Sequence, residues 1–324
     1  MIITRAPLRI SIGGGGTDLP SFYRNNNGTV FSSLAINKYI YVSVNERFKN
    51  KLLVRYSENE EVSKSSEIKH PIVRETLIDM GCKARNLEIT STSDIPSGTG
   101  LGSSGTFGVS LQKALREYLG LDNNNKIVAN KATDVEMNIL KRPIGLQDQY
   151  IASYGGLSEF TVESNDEVSV DKKELSSDLK NIIENNLLLF FADVQRDASN
   201  VLTSDSKKMK SKKYNFGSIV DMGQQMLRSL LVGDLREYGT IMHDYWLLKR
   251  ERQKGFTEKK INEIYDHIYE KKLAYGGKLV GAGGSGFLLF CSNDPEKLRK
   301  EMTSIGLKEL SFKADELGVQ TLEK

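Results

Sequence analysis

Hydrophobic and polar positions alternate along this chain with two different periods, and together they predict a mixed fold. Runs rich in β-branched and aromatic residues predict strands over Ile3–Ile12, Tyr39–Glu46, Leu87–Ile95, Leu187–Val194 and Phe287–Ser292. A helical period follows the third of these. Phe107, Leu111, Leu115 and Tyr118 fall on one face until Gly120 ends the pattern. Val128, Ala132, Val135 and Ile139 form a second such face, with Pro143 just past its end. Further helices are predicted over Phe216–Leu231, Leu235–Lys254 and Glu258–Tyr275. Thr161–Asp178 is polar and mostly without pattern, and its end is the expected division between domains at 1–175 and 176–324. Strands and helices mix without regular βαβ alternation, which predicts an α+β fold rather than a doubly wound sheet.

Composition agrees with a globular chain and removes several function classes. Its 324 residues, 39% hydrophobic and 27% charged, are enough to bury a large core in two domains. The net charge of +3 is small, and no basic stripe is interleaved with aromatics, so no nucleic-acid partner is expected. The lysine run Lys207–Lys213 lies in a polar break and reads as a solvated loop. Cys82 and Cys291 are far apart and the three histidines are scattered, against disulfide frameworks and structural zinc. The first residues lack an apolar signal region, and the run Leu187–Ala192 is far short of the ~20 residues of a membrane span. The expectation is a cytoplasmic protein without a membrane partner.

Three glycine clusters carry the candidate chemistry. In "DIPSGTGLGSSGTFG", Asp94–Gly108, glycines precede a predicted helix that begins near Ser103 and Ser104. Gly100, Gly102 and Gly105 formally match a dinucleotide fingerprint. The acidic residue expected ~20 positions later would be near Asp122, which instead lies in an asparagine-rich turn between helices. A Walker A reading fails because the loop contains no lysine. What remains is a set of unshielded backbone N–H groups at a helix N-terminus, which suits a phosphate. The plainer alternative is a glycine-rich turn capped by serines. "KLVGAGGSGFLLF", Lys278–Phe290, reads as helix, glycines, then strand, an order that excludes a dinucleotide fold and favours close approach of backbone. "GGGGTDLP", Gly13–Pro20, presents Asp18 among small neighbours, either to sugar hydroxyls or simply in a flexible turn.

Taken in order, "APLRISIGGGGTD", "PSGTGLGSSG" and "KLVGAGGSGF" resemble the three motifs of the GHMP small-molecule kinases. The middle pattern, P-x-x-x-G-L-G-S-S-[AG], is matched at every defined position from Pro96 to Gly105. Within that family the chain is most similar to the D-glycero-D-manno-heptose 7-phosphate kinases, through "GGGTDLP" and "GLQDQ". The resemblance implies a two-domain kinase fold, with an N-terminal domain like the second domain of ribosomal protein S5 and a ferredoxin-like C-terminal domain. It implies ATP and Mg2+ as cofactors and a sugar phosphate as acceptor, phosphorylated at its anomeric hydroxyl for the synthesis of nucleotide-activated heptose.

The same resemblance implies roles for individual residues. Pro96, Gly98, Gly100, Leu101, Gly102, Ser103, Ser104 and Gly105 would cradle the nucleotide, with Ser104 and Glu136 as magnesium ligands. Asp148 would take or orient the proton of the attacking hydroxyl, beside the cation of Arg9. Gly15, Gly16, Thr17, Asp18, Gly283 and Gly284 would bind substrate. Arg196, Lys249, Arg250 and Lys278 are the candidate cations for a terminal phosphate; Trp246, Lys249 and Arg250 otherwise read as a packed aromatic with two solvated charges. Two competing readings keep the fold: a sugar-1-kinase with a fucose-like substrate, and a non-catalytic sugar-sensing homologue.

Overall fold

The computed structural model describes residues 1–83, 85–192, 217–252, 259–281 and 286–323. β1 (Ile2–Gly13) runs antiparallel to β2 (Thr29–Glu46), from Ile2 opposite Val44 to Gly13 opposite Ser32. At 18 residues β2 is long enough to pair with β1 along one edge and with two further strands along the other. β3 (Leu52–Arg55) and β4 (Asn59–Val62) form a hairpin, and β3 lies parallel to β5 (Leu87–Ser93), which pairs with the second half of β2. The first half of β2 pairs with β6 (Leu157–Val162), which in turn pairs with β7 (Val168–Lys173). A second sheet holds β8 (Leu187–Phe191), β9 (Gly276–Leu279), β10 (Phe287–Cys291) and β11 (Lys308–Leu310), in the order β11-β8-β10-β9. β12 (Gln320–Glu323) returns to the first sheet, against β1.

The helices are α1 (Pro20–Tyr23), α2 (Pro71–Asp79), α3 (Ser103–Tyr118), α4 (Asn125–Asp134), α5 (Gln147–Tyr154), α6 (Ser177–Asn186), α7 (Gly217–Leu231), α8 (Leu235–Arg252), α9 (Lys259–Glu270) and α10 (Pro295–Ser304). Local chemistry sets their ends: Asn124 caps α4 through the Ile127 N–H at 3.0 Å, and Ser176 caps α6 through that of Leu179 at 3.2 Å. α9 shows the amphipathic rule plainly, with Ile261, Ile264, Tyr265 and Ile268 buried at i, i+3, i+4 and i+7. One buried cluster joins Leu8, Ile10 and Leu34 of the first sheet to Leu189, Leu289 and Met226 from the second sheet and α7, so the two sheets share a core. α7 closes onto the end of β1 where Gly13 meets Gly223; a Cβ on Gly13 would stand 2.4 Å from the Gly223 carbonyl oxygen.

Three expectations are corrected. The predicted strand at Tyr39–Glu46 is only the second half of β2, whose first half is buried almost throughout and therefore shows no alternation. The patternless stretch Thr161–Asp178 contains the end of β6, all of β7 and the start of α6. The glycine cluster within Lys278–Phe290 follows a strand, not a helix: β9 pairs antiparallel with β10. Among the described residues no helix is long and apolar enough to cross a membrane. The run Lys207–Lys213 lies outside the described residues.

Candidate active site

β5 leads into the first phosphate-suited feature. Gly98, Gly100 and Gly102 have φ of 77°, 85° and 83°, a left-handed conformation that costs glycine little. α3 then starts at Ser103, and its first helical bond runs from the Thr106 N–H to the Gly102 carbonyl at 3.0 Å. The amide groups just before Thr106 thus have no acceptor within the helix. The Ser103 hydroxyl beside them is buried and has no hydrogen-bond partner. Gly100 has a second reason to lack a side chain, since its Cβ would lie 2.5 Å from the Val280 carbonyl oxygen. Gly281 meets Gly100 equally closely, so the two glycine loops touch backbone to backbone. Leu101 is fully buried, and its carbonyl accepts the Arg9 N–H at 3.1 Å.

Arg9 on β1 reaches the same place. Its Nε donates to Asp148 Oδ1 at 2.8 Å, its Nη2 lies 2.7 Å from that oxygen, and its Nη1 donates to the Gly100 carbonyl. The arginine side chain is 6% exposed and that of Asp148, in the first turn of α5, is 30% exposed. Both contacts fall on Oδ1, so among the described residues Oδ2 carries no hydrogen bond. Glycine permits this closeness too, because a Cβ on Gly105 would stand 2.7 Å from the Asp148 Cβ.

Asp18 sits on the loop after β1. Its Oδ1 accepts the Gly16 N–H and its Oδ2 the Gln147 N–H, each at 3.1 Å. Burial pushes its carboxyl above the usual aspartate range and the nearby Asp148 charge adds to this, against the pull of the Gln147 N–H. Gly145 leaves room for it, as a Cβ there would lie 1.9 Å from Oδ2. Gly15 and Gly16 line the same cleft, and the Gly15 carbonyl accepts from the Tyr245 hydroxyl at 3.0 Å. Thr17 does not line it. That residue is fully buried and donates its hydroxyl to the Gly14 carbonyl at 2.7 Å.

Glu136 lies in a π turn, Val135–Ile139, that follows α4. It is fully buried, and Oε2 accepts from the Ser104 hydroxyl at 2.5 Å and from Arg142 Nη1 at 2.9 Å. Oε1 accepts from Gln149 Nε2 at 3.0 Å. Burial pushes Glu136 upward, opposed first by the Ser104 hydrogen bond and then by the Arg142 charge. Hydroxyl and carboxylate oxygens side by side suit a hard cation. No group of three or more His, Cys, Asp or Glu side chains is placed for a metal among the described residues, so such an ion would complete its shell with phosphate and water.

These features open onto one cleft of about 980 Å3, a size that holds a nucleotide and a small acceptor. Arg9, Asp18, Pro96, Gly98, Gly100, Gly102, Ser103, Ser104, Gly105, Glu136 and Asp148 all line it. So do Lys249 and Lys278, which corrects the reading of Lys249 as solvated: it is 4% exposed and donates to the Leu279 and Gly281 carbonyls at 3.0 and 2.6 Å. Lys278 donates to the Ile12 carbonyl at 2.9 Å, and burial, then Lys249 and Arg9, hold its ammonium well below the usual lysine range. Arg250 pairs with Asp266. Gly283, Gly284 and Arg196 lie outside the described residues. Arg142 and Gln149 were not anticipated. Gln149 was visible as a polar residue beside Asp148, whereas nothing in the spacing marks Arg142.

Residues 68–156 match the model of the GHMP kinases N terminal domain. The chain is 27% identical to a D-glycero-alpha-D-manno-heptose 7-phosphate kinase from Campylobacter jejuni over 319 residues, covering 93% of this chain and 94% of the relative. It is 28% identical to a bifunctional fucokinase/GDP-fucose pyrophosphorylase from Arabidopsis thaliana, covering 73% of this chain and 22% of that protein. Among solved structures, a D-glycero-D-manno-heptose 1-phosphate kinase from Bacteroides thetaiotaomicron superposes with a TM-score of 0.80 at 22% identity, over 100% of this chain and 99% of the other.

Proposed function

We propose that this protein is a GHMP kinase, an ATP-dependent phosphotransferase, whose acceptor is the anomeric hydroxyl of D-glycero-D-manno-heptose 7-phosphate, converted to the 1,7-bisphosphate. The observation that carries this reading is the Arg9–Asp148 pair at the tip of the glycine loop, with Asp18 beside it in the same cleft. Phosphoryl transfer asks a protein mainly for positioning and charge neutralisation. Asp148 accepts the proton of the attacking hydroxyl or holds that hydroxyl in line, through a carboxylate with one oxygen uncommitted. Arg9 holds that carboxylate in place through its Oδ1, and its positive charge stabilises the developing alkoxide. The amides from Gly98 to Gly105 and the Ser103 hydroxyl receive the nucleotide's phosphates. Ser104 and Glu136 would hold Mg2+, which supplies charge neutralisation at the phosphates when bound.

Asp18 and the Gly15–Gly16 backbone bind sugar hydroxyls, while Thr17 shapes their loop from within. Lys249 is the cation best placed for the terminal phosphate, since it lines the cleft, whereas burial disfavours the charged form of Lys278 and Arg250 faces Asp266. The supply of ATP makes the cytoplasm the compartment of action, and the product would feed nucleotide-activated heptose. A domain division at 175/176 is supported by the chain passing from β7 of the first sheet towards β8 of the second, although β12 returns to the first.

Magnesium-dependent ADP release over a panel of heptose 7-phosphate, unphosphorylated heptose, heptose 1-phosphate, fucose and galactose tests this. Turnover is expected with the 7-phosphate. Turnover confined to a neutral sugar or to the 1-phosphate would discard the acceptor while leaving the kinase.

A further inference from the structure

The two oxygens suited to a divalent cation already have a cation of the protein's own. Arg142 Nη1 lies 2.9 Å from Glu136 Oε2 and 3.1 Å from the Ser104 hydroxyl oxygen, so one guanidinium group bonds both. The same Oε2 also accepts the Ser104 hydroxyl. Glu136 is fully buried, and an isolated buried carboxylate is costly to keep charged. Arg142 is different: its side chain is 34% exposed and lines the cleft. It follows Glu136 by six residues across the turn that ends at Leu140, and its N–H donates to the Glu136 carbonyl at 2.9 Å, which fixes its backbone while its side chain stays at the open edge.

We infer that Arg142 is a resting counter-ion for Glu136, a positioning residue that must give up the Glu136 carboxylate and the Ser104 hydroxyl whenever a divalent cation and nucleotide occupy the site. The inference rests on the reading that Ser104 and Glu136 hold the cation. A divalent cation seated on Oε2 and an arginine donating to that same oxygen are in direct competition. An arginine whose side chain is part-exposed at the edge of the cleft can yield where a buried one could not. The arginine therefore lowers the apparent metal affinity of the empty enzyme.

Binding of Mn2+ to the nucleotide-free full-length protein, followed by electron paramagnetic resonance at mildly alkaline pH, tests this without activity. Arg142→Met is expected to bind Mn2+ roughly fivefold more tightly, the size of a lost charge-assisted hydrogen bond at a part-exposed position. Arg142→Gln, which keeps a donor and drops the charge, is expected to behave in the same direction should the methionine variant fail to fold. Arg142→Lys should stay near the unmodified affinity. Unchanged or weaker Mn2+ binding in the neutral variants would overturn the inference. Glu136→Gln separates the two readings: if it leaves Mn2+ binding intact, the ligand assignment itself fails, whereas weakening by Glu136→Gln without tightening at Arg142 sinks the counter-ion alone.

Discussion

Two arginine–carboxylate pairs border the same cleft, and they are built in opposite ways. In the Arg9–Asp148 pair the arginine is the buried partner, 6% exposed, tied also to the Gly100 carbonyl, while the acid is 30% exposed. In the Arg142–Glu136 pair the acid is wholly buried and the arginine is 34% exposed. A buried arginine with several bonds is a fixture, and it leaves the acid free to meet a reactant. A buried acid with an open arginine is a socket, whose cation can be exchanged. On the proposed roles, the same two residue types would serve a proton-handling corner and a cation-holding corner, with burial deciding which is which.

The sharpest way to break this contrast is to remove each acid's charge. Asp148→Asn should lower kcat by about a thousandfold, the scale of general-base catalysis, with ATP and Mn2+ binding retained. Glu136→Gln should instead show itself in metal dependence. Nearly normal turnover in Asp148→Asn, measured by ADP release, would remove Asp148 from its role.

A smaller effect is expected from Gly145→Ala, which displaces Asp18 without touching either arginine. The added Cβ would fall 1.9 Å from Asp18 Oδ2, so the carboxylate must leave the Gln147 N–H. Loss of a hydrogen bond to a charged group predicts a KM for the sugar raised by about tenfold to a hundredfold. The KM for ATP should stay close to normal, because Asp18 bonds to Gly16 and Gln147 and to nothing in the glycine loop. Initial-rate kinetics with each substrate varied in turn would show it. An unchanged sugar KM would mean that Asp18 holds its loop rather than a ligand.

Much of this site was legible in the chain because its parts are local. The run Pro96–Gly105 carries its own conformation, three left-handed glycines ahead of a helix, and Arg9, Asp18 and Asp148 stand next to motifs that announce themselves. What escaped is what depends on distant packing. Lys249 is buried by carbonyls of Leu279 and Gly281, thirty residues further along, and its helical spacing alone gave no hint of that. Arg142 meets Glu136 only because a π turn intervenes, and the helical period across Val135 and Ile139 does not foretell one. Thr17 adjoins Asp18, yet it is fully buried and spends its hydroxyl on the Gly14 carbonyl. The first half of β2 was invisible for a different reason: it is buried on both faces, and its buried Ser32 and Ser33 interrupt any apolar pattern.

The finest effect concerns acidity, and it links Asp18 to the first pair alone. Asp18 is raised above its ordinary value near 3.8, by burial first and in part by the charge of Asp148. A carboxyl with a raised pKa binds its proton more tightly in the folded protein than in the unfolded chain. Between the ordinary value and the raised one the folded state therefore holds more protons, and Asp18's contribution to stability falls as pH rises through that window and is level above it. Asp148→Asn removes one of the raising causes, so the window should narrow and this decline should flatten in the variant. Urea unfolding of both proteins across the acid range measures it, with the unmodified protein showing the steeper loss. Equal slopes would mean that the charge of Asp148 is spent on Arg9 and does not reach Asp18, which would make the Arg9–Asp148 pair electrically closed despite its open carboxylate.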